Sequence, residues 1–586
     1  MDPIDAPESW TLAPEPPEAA LLVAGGTTPL LAPLLARRGA LDPDAARRFL
    51  EPSPGDLHDP FLLHGMEAAV ARLLEARRRG ERVAIVGDYD VDGITGTALL
   101  VVVLGRCGIA TEAILPNRLL DGYGFQTSHV DRAKALGCTL VVTVDCGTTS
   151  TAAVARARAE GLDVVITDHH LPSPALPADT LQINPRQAEC RYPFRELTGA
   201  GLALKLAQAV AQRCDRAAAL EPLLRIACLG TIADLAPLVG ENRTIAALGL
   251  EALRRTRSEG LRALIRIAGL TPPFRASDVG FRLGPRLNAA GRLRRPDEAL
   301  ELLLTRDPAR AAVLATELDE CNRERQAEEQ RTVAEARQRV LERGAPPPIV
   351  VEWSEGWHRG VVGIAASRIA REFHRPAVLL SVGGTTAVGS GRSIRGIHLH
   401  DFLSGFDGEL ERFGGHAQAI GLEVRVERLP DLRSRLEAAA AAVWPPELLR
   451  RRHEYELEIA PRAVDESLLE SLLALQPHGM GNPHPLLRVG PLTLDGAPRS
   501  FGQGHVSARA RGDDGGSVRL LRWRRGDTES APALPERLEV LAQLDWDGYA
   551  QAPVLEVVAC RACEGAATTS ATAPAGSSSR VVGTES

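Results

Sequence analysis

Lysine is almost missing. Of the 68 basic residues in this 586-residue chain only Lys134 and Lys205 are lysines, and the rest are arginine. Arginine offers a planar fork that suits phosphate oxygens, although a coding bias would give the same count. Aromatic residues are scarce as well, at 4%, so a nucleic-acid surface that works by stacking has few side chains to draw on. A general positive charge is also lacking. The formal net charge of −7 excludes a uniformly basic coat and confines any polyanion site to a local patch. Long apolar runs are absent: Ala98–Leu104 falls far short of the roughly 20 residues that span a bilayer, and no membrane span is expected. Met1-Asp-Pro-Ile-Asp has neither the basic nor the apolar region of a signal peptide, so residence in the cytoplasm is the expectation. Nine cysteines form no regular framework and leave one over, which fits a reducing compartment. Cys560 and Cys563 make a single CxxC without a second pair and read as incidental thiols rather than a zinc site.

What is present is a folded, multidomain composition, with 44% hydrophobic and 24% charged residues over a length that suits about four domains. Residues 1–48 are rich in Pro and Ala, suggest one helix, and read as an N-terminal extension. From Met66 a helical pattern to Arg79 leads into the short β-branched run Arg82-Val-Ala-Ile-Val. That run ends in Gly87-Asp-Tyr-Asp-Val-Asp-Gly93, and a second helical pattern spans Ile94 to Gly105. The plan recurs at Leu140-Val-Val-Thr-Val before Asp145-Cys-Gly, and at Asp163-Val-Val-Ile-Thr before Asp168-His-His170. Alternating strands and helices imply a parallel sheet, whose ligands gather beyond the carboxyl ends of the strands.

Residues 307–345 read as one connecting helix of about 50 Å, nearly all charged or amide from Leu318 to Arg331, as a solvated surface helix would also be. Pro346-Pro-Pro and the strand Ile349-Val-Val-Glu open a second α/β unit, 346–447, with a helix from Gly360 to Phe373. Period-two alternation in 448–563 suggests a small β-barrel. The Ala-, Thr-, Ser- and Gly-rich residues 564–586 are expected to be disordered.

Taken together, the strand ends supply Asp88, Asp90 and Asp92, then Asp145, then Asp168, His169 and His170. Carboxylates crowded in this way repel one another and need cations. Oxygen donors with an imidazole suit Mn²⁺ or Mg²⁺ better than a structural zinc. Singly, each Asp could be a helix N-cap, and Asp92-Gly93 an ordinary turn. Three junctions at one sheet edge favour a metal site. Asp234 lies in the apolar stretch 226–238, where metal coordination would relieve a buried carboxylate; its alternative is a helix cap.

Gly87-Asp-Tyr-Asp-Val-Asp-Gly93, Val144-Asp-Cys-Gly147 and Asp168-His-His170 resemble the successive motifs of the DHH phosphoesterase superfamily. Pro116-Asn-Arg118 with Gly122-Tyr-Gly124, Gly230-Thr-Ile-Ala-Asp234, Gly284-Pro-Arg-Leu-Asn-Ala-Ala-Gly-Arg292, Gly389-Ser-Gly-Arg-Ser393, Gly414-Gly-His416 and Gly479-Met-Gly-Asn-Pro483 follow in the order seen in the RecJ family of bacterial exonucleases. The resemblance covers roughly residues 50–560. It implies a parallel-sheet DHH domain (49–306), joined by the long helix to a second α/β, DHHA1-type domain, and then an OB-like barrel. By the same resemblance Asp90, Asp92, Asp145, His169 and Asp234 are metal ligands, with Asp145 bridging two divalent ions. Asp88 is less defined. The superfamily's pyrophosphatase branch has a His where this chain has Val86, so one ion would bind more weakly or share other ligands.

Two divalent ions can activate water and stabilise the leaving oxygen in an in-line displacement, with no protein nucleophile. His170 would contact the scissile phosphate or the leaving group, or support His169 from behind. Arg118, Arg286, Ser390 and Arg392, with the helix start at 360–363, would hold the 5′ end and adjacent phosphates. Gly414, Gly415 and His416 would let backbone approach the strand. Trp523, Trp546 and Tyr549 are either stacking residues of the barrel or part of its core. The implied activity is 5′-to-3′ removal of mononucleotides from single-stranded DNA in repair and recombination, with single-stranded-DNA-binding protein and a RecQ-type helicase as partners. A phosphoesterase for smaller substrates would not need the barrel, and a non-catalytic DNA-binding relative would have lost acidic ligands that this chain retains.

Overall fold

The computed structural model describes residues 8–117, 124–172, 180–216, 220–502, 504–523 and 533–563. The chain divides into two compact units, residues 1–454 with 470–485, and residues 455–469 with 486–586.

In the first unit, five parallel strands lie in the order Ala110–Ile114, Arg82–Gly87, Cys138–Val144, Asp163–Thr167, Leu181–Ile183. The first strand in sequence is flanked by the second and third, so the connections leave in opposite directions between Arg82–Gly87 and Cys138–Val144. That switch point is where a doubly wound sheet opens a crevice. Val83, Ile85, Val141, Val142, Val165 and Ile166 are buried on one face or the other, as a parallel sheet covered by helices requires. Helix Val91–Arg106 is buried along most of its length and packs against helices Gly199–Arg213 and Leu220–Ala233.

The long helix runs from Pro308 to Glu342, with Asp307 as N-cap accepting from the Ala309 amide. Its polar middle is solvated on one face only, where Glu320, Arg323, Glu324, Gln326, Gln330 and Arg331 are exposed, and is buried on the other. Asp319, Asn322, Arg325, Glu329 and Thr332 are all buried. Asp319 pairs with Arg286 of helix Gly284–Leu293, and Glu329 with Arg325 and with Arg368 of helix Val362–Phe373. The connector therefore fastens to both domains by charge pairs. Beyond it, a second sheet has the order Arg412–His416, Ala419–Arg425, Thr386–Arg392, Ala377–Gly383, Val350–Ser354, antiparallel except for the last pair.

The N-terminal residues carry three helices, Glu18–Ala24, Leu31–Arg37 and Pro43–Leu50, where the sequence suggests one. Leu22, Leu31, Leu34 and Leu35 are buried, so this stretch has a small core of its own.

In the second unit, strands Leu487–Leu494, Arg537–Asp547, Ala552–Ala562, Ser517–Arg522 and His505–Gly512 pair in a closed circuit, the last pairing back to the first. This is a five-stranded barrel of OB type. Trp523, Trp546 and Tyr549 are exposed rather than core residues. Among the described residues no helix is long and apolar enough to cross a membrane.

Glu329→Ala would leave the buried Arg325 without its carboxylate and is expected to cost about 3 kcal/mol of stability, measured by denaturant unfolding. Arg310→Ala, which removes a solvent-exposed pair with Glu301, is expected to leave the midpoint unchanged.

Candidate metal centre

Each parallel strand delivers polar groups at its carboxyl end. Asp90 caps helix Val91–Arg106, its Oδ1 accepting from the Gly93 amide at 3.1 Å. Asp92, buried in the first turn, accepts from the amides of Gly199 (2.6 Å) and Ala200 (2.9 Å), the first residues of helix Gly199–Arg213. It is an anion seated on a helix N-terminus. The backbone of this loop is fixed from outside by Asn288, whose Oδ1 accepts from the Val91 amide at 3.0 Å.

Asp145 leaves strand Cys138–Val144 with φ of 63°, a left-handed conformation uncommon for residues other than glycine. Its amide donates to the Thr167 carbonyl. Gly199 makes room for it, since a Cβ there would lie 2.4 Å from that of Asp145. Strand Asp163–Thr167 ends in Asp168. One Asp168 oxygen accepts from the Thr148 amide; the other accepts from the His169 and His170 amides and lies 2.7 Å from His170 Nδ1. Asp234 follows the last turn of helix Leu220–Ala233.

These side chains converge. Ligand atoms of Asp92, His169 and Asp234 lie within 4.8 Å of one another, as do those of Asp88, Asp90 and Asp145, and those of Asp145, His169 and His170. His169 Nε2 stands 2.9 Å from Asp145 Oδ1 and 3.9 Å from both Asp92 Oδ2 and Asp234 Oδ2. Asp145 is thus shared between groups. Val86 is buried in the sheet core, and Asp88, not a residue at that position, completes the group with Asp90 and Asp145.

The electrostatics are dominated by crowded carboxylates, with the His170 ring as their protonated neighbour. Burial, then the charge of Asp90, raises Asp92 to about 7. Asp234 stands at the edge of the site with its side chain 30% exposed, and desolvation, then Asp92 and Asp90, raises it to about 8. Burial and four neighbouring carboxylates push Asp145 well above the usual range. Burial, then the His170 charge, lowers His169 to about 3, so its ring is neutral and able to ligate. His170 differs: burial would lower it, but the Asp168 hydrogen bond and charge prevail and hold it at about 8. Asp168 is held at about 2, where the His170 ring and backbone amides outweigh the effect of burial.

Asp145 Oδ1 and His169 Nε2 face each other, are buried, and make no hydrogen bond. Orphaned polar atoms in such a place are costly unless a cation takes up their lone pairs. Carboxylate oxygens with an imidazole fit Mn²⁺ or Mg²⁺.

The remaining sequence-derived residues fall elsewhere. Ser390 and Arg392 lie on strand Thr386–Arg392 beside the start of helix Val362–Phe373; a Cβ at Gly363 would be 3.2 Å from both the Ser390 hydroxyl and the Arg392 guanidinium. Gly415, with φ of 140°, and His416 end the edge strand Arg412–His416. His416 shares a cleft of about 520 Å³ with Phe125, Thr148, Ser150, Asp168 and His170. Arg286 pairs within the fold: its Nε and Nη2 are 2.9 and 2.8 Å from Asp319 Oδ1 and its Nη1 donates to the Arg282 carbonyl. Arg118 lies outside the described residues. Sequence reasoning left out Asp168 as the residue that orients His170, although it opens the Asp-His-His run. It also gave no role to Asn288 or to the Gly199 and Ala200 amides, which no local pattern reveals.

Three family descriptions match in series: "DHH family, N-terminal domain" at residues 82–231, "DHHA1 domain" at 347–442 and "RecJ OB domain" at 455–559. With the carboxylate and histidine centre on a parallel sheet, they define a DHH-family protein that carries a DHHA1 domain and an OB barrel. The single-stranded-DNA-specific exonuclease RecJ of Bacillus subtilis is 37% identical over 522 residues, 88% of this chain, and the chain spans 66% of that relative's length. The RecJ of Escherichia coli is 38% identical over 480 residues, 78% of this chain and 82% of that one. Thermus thermophilus RecJ in complex with Mn²⁺ matches with a TM-score of 0.79 at 32% identity, over 95% of this chain and 80% of that one. Its Mg²⁺ complex gives 0.74 at 31%, over 95% and 79%. The chain belongs to the RecJ family.

Because Asp92 and Asp234 titrate at about 7 and about 8, both hold protons part of the time at neutral pH without metal. Mn²⁺ binding at pH 7 is expected to release protons and to strengthen as pH rises towards 8. Calorimetry in buffers of different ionisation enthalpy checks this; a binding heat independent of the buffer would contradict it.

Proposed function

We propose that this protein is a single-stranded-DNA-specific exonuclease that releases 5′-mononucleotides in the 5′-to-3′ direction with two divalent ions, Mn²⁺ or Mg²⁺, and serves DNA repair and recombination in the cytoplasm. The observation that carries this reading is the convergence of Asp88, Asp90, Asp92, Asp145, His169 and Asp234 on overlapping ligand groups with unsatisfied, buried donor atoms at the centre. When bound, the ions supply a water of lowered pKa and neutralise charge that develops on the phosphoryl and leaving oxygens.

The protein's own groups do the rest. Asp90, Asp92, Asp145, His169 and Asp234 would hold the ions, with Asp145 common to two of the ligand groups and Asp88 joining the group of Asp90. His170, held by Asp168 and largely protonated at neutral pH, donates to the scissile phosphate. Ser390 and Arg392, beside the first turn of helix Val362–Phe373, hold the 5′-terminal phosphate. Gly415 and His416 line the path of the strand. Arg286 acts through its pair with Asp319, which fixes helix Gly284–Leu293 and with it Asn288. In the barrel, Trp523 lies 4.9 Å from the His505 ring and 6.2 Å from Phe501, centroid to centroid, and this exposed cluster stacks on bases of a longer strand. Single-stranded-DNA-binding protein and a RecQ-type helicase supply the substrate.

Digestion of end-labelled single-stranded DNA, duplex DNA and RNA with Mn²⁺, Mg²⁺ or chelator tests the reading. Mononucleotides released from the 5′ end of single strands, and nothing with chelator, are expected. Products that begin at the 3′ end would refute the polarity. Asp145→Ala is expected to reduce turnover to background with the fold retained. Arg392→Ala is expected to lower the slope of log affinity against log salt by about 0.7; an unchanged slope would remove that side chain from phosphate. Trp523→Ala is expected to weaken binding of long strands by about 1–3 kcal/mol, with no effect on oligonucleotides too short to reach the barrel.

A further inference from the structure

The segment Gly479-Met-Gly-Asn-Pro483 has no part in the chemistry described so far, yet it meets the chain immediately after Asp234. That carboxylate stands at a difficult point. It follows the C-terminal end of helix Leu220–Ala233, where the helix dipole disfavours negative charge. The next residue, Leu235, is exposed and has φ of 59°, a costly conformation for a bulky side chain. Pro237 stops the helix but does not favour a left-handed leucine two residues before it, so packing must help to hold this turn.

The imposing element is the 479–482 turn. The Leu238 amide donates to the Met480 carbonyl at 2.7 Å, Gly479 lies against the Leu238 side chain, and Gly481 lies against Pro237. The turn is itself pinned. Gly479 and Asn482 exchange backbone hydrogen bonds of 2.8 and 3.1 Å. The fully buried Asn482 amide donates to the carbonyls of Leu475 (2.7 Å) and Pro477 (2.9 Å), and its Oδ1 accepts from Arg38 Nε at 2.6 Å. Arg38 follows helix Leu31–Arg37 and also donates to the Leu34 and Pro483 carbonyls. From the other side Arg243, in the helix that continues from the Asp234 turn, donates to the Leu475, Gln476 and Phe49 carbonyls. Two buried guanidiniums therefore close on one short segment whose outer edge carries the turn after Asp234.

We infer that Asn482, Arg38 and Gly479 are positioning residues for Asp234: the 479–482 turn holds residues 235–239 in place and so keeps this carboxylate directed at the cations. This rests on the reading of Asp234 as a metal ligand. It also gives the N-terminal helices a task in the site, through Arg38.

The test uses the full-length protein well below its unfolding temperature, with two readouts: hydrogen exchange of residues 235–239 in the metal-free state, and Mn²⁺ affinity from the paramagnetic resonance of the free ion. Asn482→Ala is expected to speed exchange in 235–239 at least about tenfold and to weaken Mn²⁺ binding about tenfold. Gly479→Ala, whose new Cβ would lie 2.7 Å from Leu238 Cδ1, is expected to weaken Mn²⁺ binding, and the added change Leu238→Ala to restore part of the loss. That compensating pair decides the matter if Asn482→Ala does not fold. Exchange and affinity at parental values in a variant with only a lower melting temperature would overturn the inference. Asp234→Ala separates the two levels: if it too leaves Mn²⁺ affinity unchanged, the ligand reading fails, whereas a loss there with none in the Asn482 and Gly479 variants overturns the positioning role alone.

Discussion

Repulsion among carboxylates is the constraint on which this architecture turns. Asp88, Asp90, Asp92, Asp145 and Asp234 are drawn together at the switch point of a parallel sheet, and three of them, Asp88, Asp92 and Asp145, are almost withdrawn from water. Such a cluster is unfavourable until protons or cations neutralise it. The fold bears part of that cost with fixed dipoles, most clearly where the amides of Gly199 and Ala200 receive Asp92. Folding free energy spent here is recovered on binding divalent ions, and the site is prepared in advance because the strands and helices around it are buried on both sides.

Preparation extends well beyond the ligands. Asp168 fixes the ring of His170 while its backbone contacts shape the whole Asp-His-His turn. Asn288 holds the loop before helix Val91–Arg106, and its own helix is tied to the long connector through Arg286 and Asp319. Further along the same connector, Glu329 reaches Arg368 on the helix whose first turn lies beside Ser390 and Arg392. One helix thus makes charge contacts with elements that border the metal centre and with the helix that starts beside Ser390 and Arg392. A carboxylate buried on the connector must keep its arginine partner, which penalises any alternative alignment and suits a connector between two domains.

Much of this was legible from the chain alone. The three strand-end motifs could be read because a parallel βαβ arrangement brings the carboxyl ends of neighbouring strands together, whatever the sequence distance between them. The same logic located Asp145 and the histidine pair, and the family resemblance added Asp234. Other features lay outside what local pattern conveys. The partner of Arg286 is 33 residues away, so a phosphate grip and a structural pair look alike in sequence. The composition of the connector's charged middle suited a solvated helix equally well, because the burial of one face depends on Arg368 and Arg286 arriving from elsewhere in the chain. Period-two alternation identified barrel strands without saying which face is inward, so Trp523 and Tyr549 could be placed only by the fold. The N-terminal helices are short and rich in Pro and Ala, and the role of Arg38 depends on Asn482, 444 residues distant.

The most direct measurement of the central claim is anomalous diffraction at the manganese edge from crystals of this protein soaked in Mn²⁺. The account predicts two peaks about 3.5–4 Å apart, both within coordination distance of Asp145, one also bounded by Asp92, His169 and Asp234 and the other by Asp88 and Asp90. Manganese absent from this pocket, or bound at one position away from Asp145, would contradict it.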